Sequence, residues 1–277
     1  MRLLALLIAL CAAPLAAQER LVLGATTTTE NSGLLGFILP QFSAETGIRV
    51  DVVALGTRQV LAMAANGDLD VVIVHHRPSE DTFMAAGDGD ARFDLMFNDF
   101  VIIGPSDDPA QVATANTPAQ AFARIGAVGA KFVSRGDESG THLRELSLWQ
   151  AAGLTPDGRW YSEVGSGMGA SLNIAAALST YILSDRSTWL SFSNRADLTL
   201  LYEGGPELRN TYALITVSAA RHPHINARAA HLFAQWMTGP AGQAAIANYR
   251  LNDETLFCPI TPQAGQQQGK TCAAGQN

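Results

Sequence analysis

Short apolar runs alternate with amphipathic stretches almost from the start of the chain. Leu21, Val22 and Leu23 centre an extended run over 20–25 that opens directly into Thr26, Thr27, Thr28 and Thr29. Glu30-Asn31-Ser32-Gly33 then leads into Leu34, Leu35, Phe37, Ile38, Leu39 and Phe42, a helical spacing with Pro40 as a kink. Four β-branched threonines suit a turn over a helix start better than a helix interior. A second strand over 49–54 turns at Leu55-Gly56-Thr57 into a helical stretch over 60–65. A third run, 70–74, is almost wholly apolar, as strands buried on both faces of a parallel sheet are. It ends at His75-His76-Arg77-Pro78, read as loop residues at a cleft edge. Adjacent strand residues point opposite ways, which argues against a shared metal.

This alternation predicts an α/β fold with mostly parallel sheets flanked by helices. Ligands in such sheets bind beyond the carboxyl ends of the strands, where the hydroxyl-bearing turns fall. Further extended runs are expected at 93–105, 130–133, 180–183, 198–202 and 210–218. Helices are expected at 118–128, after Leu143, after Gly169, and over 226–238 and 241–249. The two long extended runs predict two crossings between lobes. Lobe I takes residues 18–102 and 206–277, lobe II takes 103–205, and the pair forms a hinged clamp.

Composition narrows the setting. A 47% hydrophobic and 16% charged chain of 277 residues can bury a large core. Residues 1–17 read as a cleaved secretory signal: Met1-Arg2, an apolar run from Leu3 to Ala13, then small residues up to Ala17. The run is too short to span a bilayer. Cys258 and Cys272 remain as an even pair in an exported chain, which predicts a disulfide closing the C-terminal tail. A loop of roughly 15 residues closed this way contributes about 3 kcal/mol in the chain-entropy account. The net charge of −7 argues against nucleic acid and anionic membranes as partners, though not against a small anion held by local dipoles.

The densest candidate chemistry is Ser134-Arg135-Gly136-Asp137-Glu138-Ser139-Gly140-Thr141-His142. Arg135 brings a planar fork of donors, Ser139 and Thr141 bring hydroxyls, and Gly140 lets backbone approach a ligand. The helical pattern that follows places this cradle on a helix N-terminus, where free N–H groups and the macrodipole favour an anion. Gly165-Ser166-Gly167-Met168-Gly169 opens another helical run without the Gly-Lys-Ser/Thr ending of a nucleotide loop, so nucleotide binding is rejected. Met168 is read as a cleft-wall or packing residue.

The threonine run with Glu30-Asn31-Ser32-Gly33, the segment Asn98-Asp99-Phe100-Val101-Ile102-Ile103-Gly104-Pro105, the Ser134–His142 cradle and Gly167-Met168-Gly169-Ala170 together resemble one family. The mature chain resembles type II periplasmic solute-binding proteins of ABC importers, and within them the tungstate-binding (TupA-type) group. The resemblance implies an unprotonated tetrahedral oxyanion, tungstate or molybdate, held between two lobes without cofactor or metal. It implies a periplasmic monomer that delivers the anion to a permease and its ATPase. The implied ligand set is Thr26, Thr27, Thr28, Thr57, Arg135, Ser139, Thr141, Gly167, Met168 and Gly169. Which of Thr26–Thr29 make contact stays open, because Thr29 stands where the family has serine.

Phosphate receptors of the same fold are the rival, with sulfate receptors beside them. Phosphate receptors carry a similar cradle in which the aspartate corresponding to Asp137 accepts the proton of hydrogen phosphate. For tungstate the expectation is that Asp137 turns away, capping the helix or pairing with Arg144. An enzyme reading makes Ser139 a nucleophile and His142 its base. Ser139 lies outside a Gly-x-Ser-x-Gly elbow and His142 lacks an orienting acid in the motif, so the binding reading is preferred.

Overall fold

The computed structural model describes residues 18–251 and 253–260. The signal segment and Cys272 lie outside these residues, and with Cys272 the expected disulfide. Cys258 itself is buried beside Phe97.

Strands β1 (Arg20–Thr26), β2 (Arg49–Leu55) and β3 (Val71–Val74) run parallel in the order β2-β1-β3. They are joined through helices α1 (Thr27–Asn31), α2 (Leu34–Thr46) and α3 (Thr57–Ala65). Helix α4 (Arg77–Ala85) follows β3. The threonines therefore do not form an open turn. Thr26 caps α1 and Thr27–Thr29 make its first turn, a position where β-branching crowds no preceding helical turn. Helix α2 runs on through Pro40.

Strand β4 (Gly89–Pro105) is 17 residues long and serves two sets of elements. From Gly89 to Asp99 it pairs antiparallel with β9 (Arg209–Val217), which continues the sheet onto β3. From Phe100 onward it pairs with β7 (Ile182–Asp185) and then β8 (Leu198–Tyr202). The sheet is thus mixed: a parallel trio on one side, antiparallel crossing strands through the middle. Beyond lie α5 (Pro118–Val128), β5 (Phe132–Ser134), α6 (Gly140–Ala151), β6 (Tyr161–Glu163), α7 (Met168–Leu178) and α8 (Arg186–Ser191). Helices α9 (Ala227–Thr238) and α10 (Pro240–Asn248) return to the first set. This is the two-lobed type II periplasmic binding fold.

The period-two alternation of the strands sorts the core. On β3, Val71 and Ile73 pack with Leu21, Leu23, Phe42, Phe233 and Ile246 under α2, α9 and α10. Val72 and Val74 face the other way, onto Val60 and Phe83 under α3 and α4. In β4, Phe100 and Ile102 join Phe122, Phe132 and Trp149, while Val101 and Ile103 join Leu172 and Trp189. Each lobe buries both faces of its sheet, and the loops at the strand ends meet between the lobes.

Candidate functional site

Three strand ends lie side by side. β2 runs through Gly56 into α3, β1 runs through Thr26 into α1, and β3 runs into His75. Neighbouring strands stand about 4.8 Å apart, so the ends of β2 and β3 flank that of β1 across about 10 Å. The loop between β5 and α6, the predicted cradle, reaches the two outer ends. On one flank, a Cβ added at Gly56 would stand 3.7 Å from the carbonyl oxygen of Asp137, and Arg58 Nη1 donates to Glu138 Oε1 at 2.9 Å. On the other, a Cβ added at Gly140 would lie 2.5 Å from His75 Cε1. Contact at both flanks spans the loop across the gap in which β1 ends.

Two left-handed residues shape this loop, Gly136 at φ 58° and Glu138 at φ 57°. Gly136 has no alternative, because a Cβ there would come 2.7 Å from Glu163 Cβ. Glu138 adopts a conformation that costs a non-glycine residue of order 1 kcal/mol. Its backbone N–H donates to His142 Nδ1 at 3.1 Å, and its carboxylate takes the bond from Arg58, so the strain is held from two sides.

Folding back through Gly136 brings Asp137 onto Arg135. Arg135 Nε and Nη2 both donate to Asp137 Oδ2, at 3.1 and 2.5 Å, and Ser139 N donates to Oδ1 at 3.2 Å. Asp137 thus serves the start of α6, as expected, but its arginine partner is Arg135 rather than Arg144. Arg144 lies over the ring of Phe100 at 5.9 Å.

Arg135 is 2% exposed, and its Nη1 has no protein partner. The hydroxyls of Thr57 and Thr141 are likewise buried and unpartnered. An unsatisfied buried polar group costs about 1–3 kcal/mol. Three such donors, from α3, the cradle loop and α6, are a costly arrangement for a packed interior and a fitting one for an oxyanion. The N-termini of α3 and α6 add free N–H groups and positive dipole ends. Because Arg135 is neutralised by Asp137, these dipoles and neutral donors carry much of the attraction for negative charge.

The other predicted residues divide. Thr26 Oγ1 and Thr29 Oγ1 bond each other at 2.8 Å, while the side chains of Thr27 and Thr28 make no hydrogen bond among the described residues. Ser139 caps α6, its Oγ accepting from His142 N at 3.3 Å. Met168 is packed into the core with Val101, Ile103, Val133 and Leu172, because α7 buries that face. Gly167 caps α7, and both Gly167 and Gly169 are exposed, while Ser166 N beside them donates to the Arg135 carbonyl at 3.2 Å. Only the backbone N–H groups of that turn stay available to a ligand. His142 accepts from Glu138 N through Nδ1, and its Nε2 lies 3.6 Å from Glu163 Oε1, so it is not poised to deprotonate Ser139.

The sequence reading missed His75. It does lie in the loop between β3 and α4, as expected, but it is only 5% exposed, and burial pushes its pKa down to about 4. Its neighbour His76 caps α4. The available signal was its place, directly beyond a wholly apolar parallel strand. Two further buried or part-buried arginines are engaged with other groups. Arg186 bonds Asp99 and Glu203, and Arg195 lies over Trp189 at 4.3 Å. Beneath the cradle, Glu145 is buried and accepts from Trp149 Nε1 and Tyr161 OH, at 3.1 and 2.8 Å. Burial lifts its pKa to about 7. Among the described residues no group of three His, Cys, Asp or Glu could hold a metal ion, and no helix is long and apolar enough to cross a membrane.

Known proteins resemble this chain along most of their length. Residues 13–241 match the PBP superfamily domain. A putative ABC transporter anion-binding protein from Haloferax volcanii is 42% identical, over 94% of this chain and 78% of that protein. The tungstate-binding protein TupA of Peptoclostridium acidaminophilum is 40% identical, over 90% of this chain and 88% of its own. Among solved structures, the tungstate-binding protein TupA from Desulfovibrio alaskensis superposes with a TM-score of 0.77 at 40% identity, covering 88% of this chain and all of that one. The tungstate ABC transporter protein from Geobacter sulfurreducens gives the same TM-score at 44% identity, covering 84% of this chain and all of that one. The chain belongs to the PBP superfamily, and within it to the TupA family of ABC-transporter binding proteins.

Proposed function

We propose that this protein is the extracytoplasmic receptor of an ABC importer, and that it captures tungstate, or molybdate of nearly the same size, between its lobes. The observation that carries the proposal is the set of three buried, unpartnered donors: Thr57 Oγ1, Arg135 Nη1 and Thr141 Oγ1. Ser139, the hydroxyls of Thr27 and Thr28, and the backbone N–H groups at the α3, α6 and α7 starts complete the ligand set. Lobe I comprises 18–102 with 206–277, and lobe II comprises 103–205. The chain works as a periplasmic monomer and passes its anion to a permease driven by an ATPase. The relatives named for tungstate and anion binding support this reading.

Asp137 separates tungstate from hydrogen phosphate. Oδ2 takes two bonds from Arg135 and Oδ1 one from Ser139 N. A carboxylate so engaged is poorly placed to accept a ligand proton. Tungstate and molybdate have none to give at neutral pH, and closure would strengthen each remaining hydrogen bond in a drier site. Calorimetric titration of anion-free protein with tungstate, molybdate, sulfate and phosphate tests the proposal. Tight uptake of tungstate with no phosphate heat is expected. Phosphate binding in place of tungstate binding would overturn it.

A further inference from the structure

His75 stands at the end of β3, on the lobe opposite Arg135. One face of its ring stacks on Tyr212, with centroids 4.7 Å apart and planes at 22°. A Cβ added at Gly140 would lie 2.5 Å from Cε1 and 2.8 Å from Nε2, so the imidazole sits against the first residue of α6, between Ser139 and Thr141. Nδ1 lies 2.8 Å from the side-chain amide of Asn210. Nε2 is buried and has no protein partner.

We infer that His75 donates a hydrogen bond from Nε2 to the bound oxyanion, completing the site from the lobe I side. This rests on the oxyanion reading above and adds a ligand to it.

The direction of the bond follows from the amides behind the ring. A neutral imidazole carries one hydrogen, and its position is set by what the other nitrogen meets. Asn210 also lies 2.7 Å from the amide of Asn98 and 3.1 Å from the hydroxyl of Tyr212. The network can run in two senses, because reversing an amide exchanges its oxygen and nitrogen at nearly the same positions. In one sense Asn210 Nδ2 donates to Asn98 and Tyr212, and its Oδ1 takes the hydrogen of His75 Nδ1. Nε2 then shows a lone pair toward the cradle, and Asn98 Nδ2 is left buried without an acceptor. In the other sense Asn98 Nδ2 and the Tyr212 hydroxyl donate to Asn210 Oδ1, and Asn210 Nδ2 donates to His75 Nδ1. The hydrogen moves to Nε2. A lone pair repels an oxyanion and an N–H binds it, so the anion selects the second sense.

In the anion-free protein, burial keeps the ring neutral near pH 7. Its support comes from the two crossing strands, since Asn98 on β4 is the register partner of Asn210 on β9. The donor is therefore anchored to the strands that join the lobes.

The test uses the full chain labelled with ¹⁵N, free of anion and then saturated with tungstate, with the histidine tautomers read from two-bond ¹H–¹⁵N correlations. The expected spectrum of the loaded protein has His75 protonated at Nε2 and bare at Nδ1. A proton on Nδ1 with tungstate bound would overturn the inference while leaving the oxyanion reading intact. If the unaltered protein takes up no tungstate, that reading fails and this inference with it. Titration gives the second readout. His75→Leu should weaken tungstate binding on the order of 10- to 100-fold. His75→Gln, whose amide nitrogen reaches about the place of Nε2, should recover most of the loss. Wild-type affinity in His75→Leu would also overturn the inference.

Discussion

Arg135 Nε and Nη2 both close on a single oxygen of Asp137, at 3.1 and 2.5 Å, which leaves Nη1 as the one guanidinium nitrogen without a protein partner. The acidic residue of the cradle therefore orients the arginine. Asp137→Ala tests this by the sign of its effect. Were the carboxylate turned to the ligand, its removal would relieve repulsion and tighten tungstate binding. Because it holds the arginine in place, its removal should weaken binding on the order of 10-fold, the scale of one charge-assisted bond. Calorimetry on the variant reads the direction, and tighter binding would sink the assignment.

Arg135 should not be replaceable by lysine. A guanidinium spends two nitrogens on Asp137 and still aims a third, whereas an ammonium is a single point charge on a flexible stem. Arg135→Lys keeps the charge and should still lose about 100-fold or more in tungstate affinity, within a factor of a few of Arg135→Ala. Near-normal affinity in the lysine variant would mean that charge, not geometry, holds the anion.

Two cross-lobe contacts should differ sharply in weight. Arg58 and Glu138 are paired at 2.9 Å, with side chains 58% and 59% exposed. An exposed pair of this kind contributes at most about 1 kcal/mol, so Glu138→Gln should change tungstate affinity less than about 5-fold. Gly140→Ala places a methyl group 2.5 Å from the His75 ring, where neither the stacked imidazole nor the helix start can yield easily. Closure should be blocked and affinity should fall at least 10-fold. Small-angle scattering with and without tungstate would read closure directly, and a Gly140→Ala protein that compacts like wild type would refute the steric account.

The frame of the site was legible because it is local. Strand, polar turn and helix leave a short-range signature, and Thr57, Arg135 and Thr141 fall at such junctions. What makes His75 special is not local. Its ring is buried by Tyr212 and Asn210, about 135 positions further along the chain, and by Gly140 from the other lobe. A pair of histidines in the loop before Arg77-Pro78 gives no sign of burial until those partners are seen. Helix α4 was hidden for a related reason. It starts on Arg77-Pro78, carries a polar run over 79–82, and is capped by a histidine rather than by serine, threonine or aspartate. The core packing of Met168 agrees with one of its two readings, but Gly-Met-Gly at a helix start looks the same whether its side chain lines the cleft or the core. The Asp137–Arg135 pair depends on left-handed residues at 136 and 138, and the second of these is a glutamate that gives no such signal.

Two buried groups should shape stability against pH from opposite sides. Burial lowers the pKa of His75 from 6.5 to about 4. The unfolded chain therefore binds this proton more readily, so the contribution of the neutral ring is full above pH 6.5 and is lost as pH falls through about 4. Burial raises the pKa of Glu145 from 4.5 to about 7. Here the folded state holds the proton more tightly, so the contribution is full below pH 4.5 and is lost as pH rises through about 7. At about 1.4 kcal/mol per pKa unit, each effect is of order 3 kcal/mol across its window. The anion-free protein should melt at its highest temperature in the mildly acid range where the two losses balance. Glu145→Gln cannot ionise, so it should flatten the alkaline limb and leave the acid limb in place. Melting curves of both proteins from pH 4 to 9 check this, and an unchanged alkaline limb in Glu145→Gln would assign that loss to other groups.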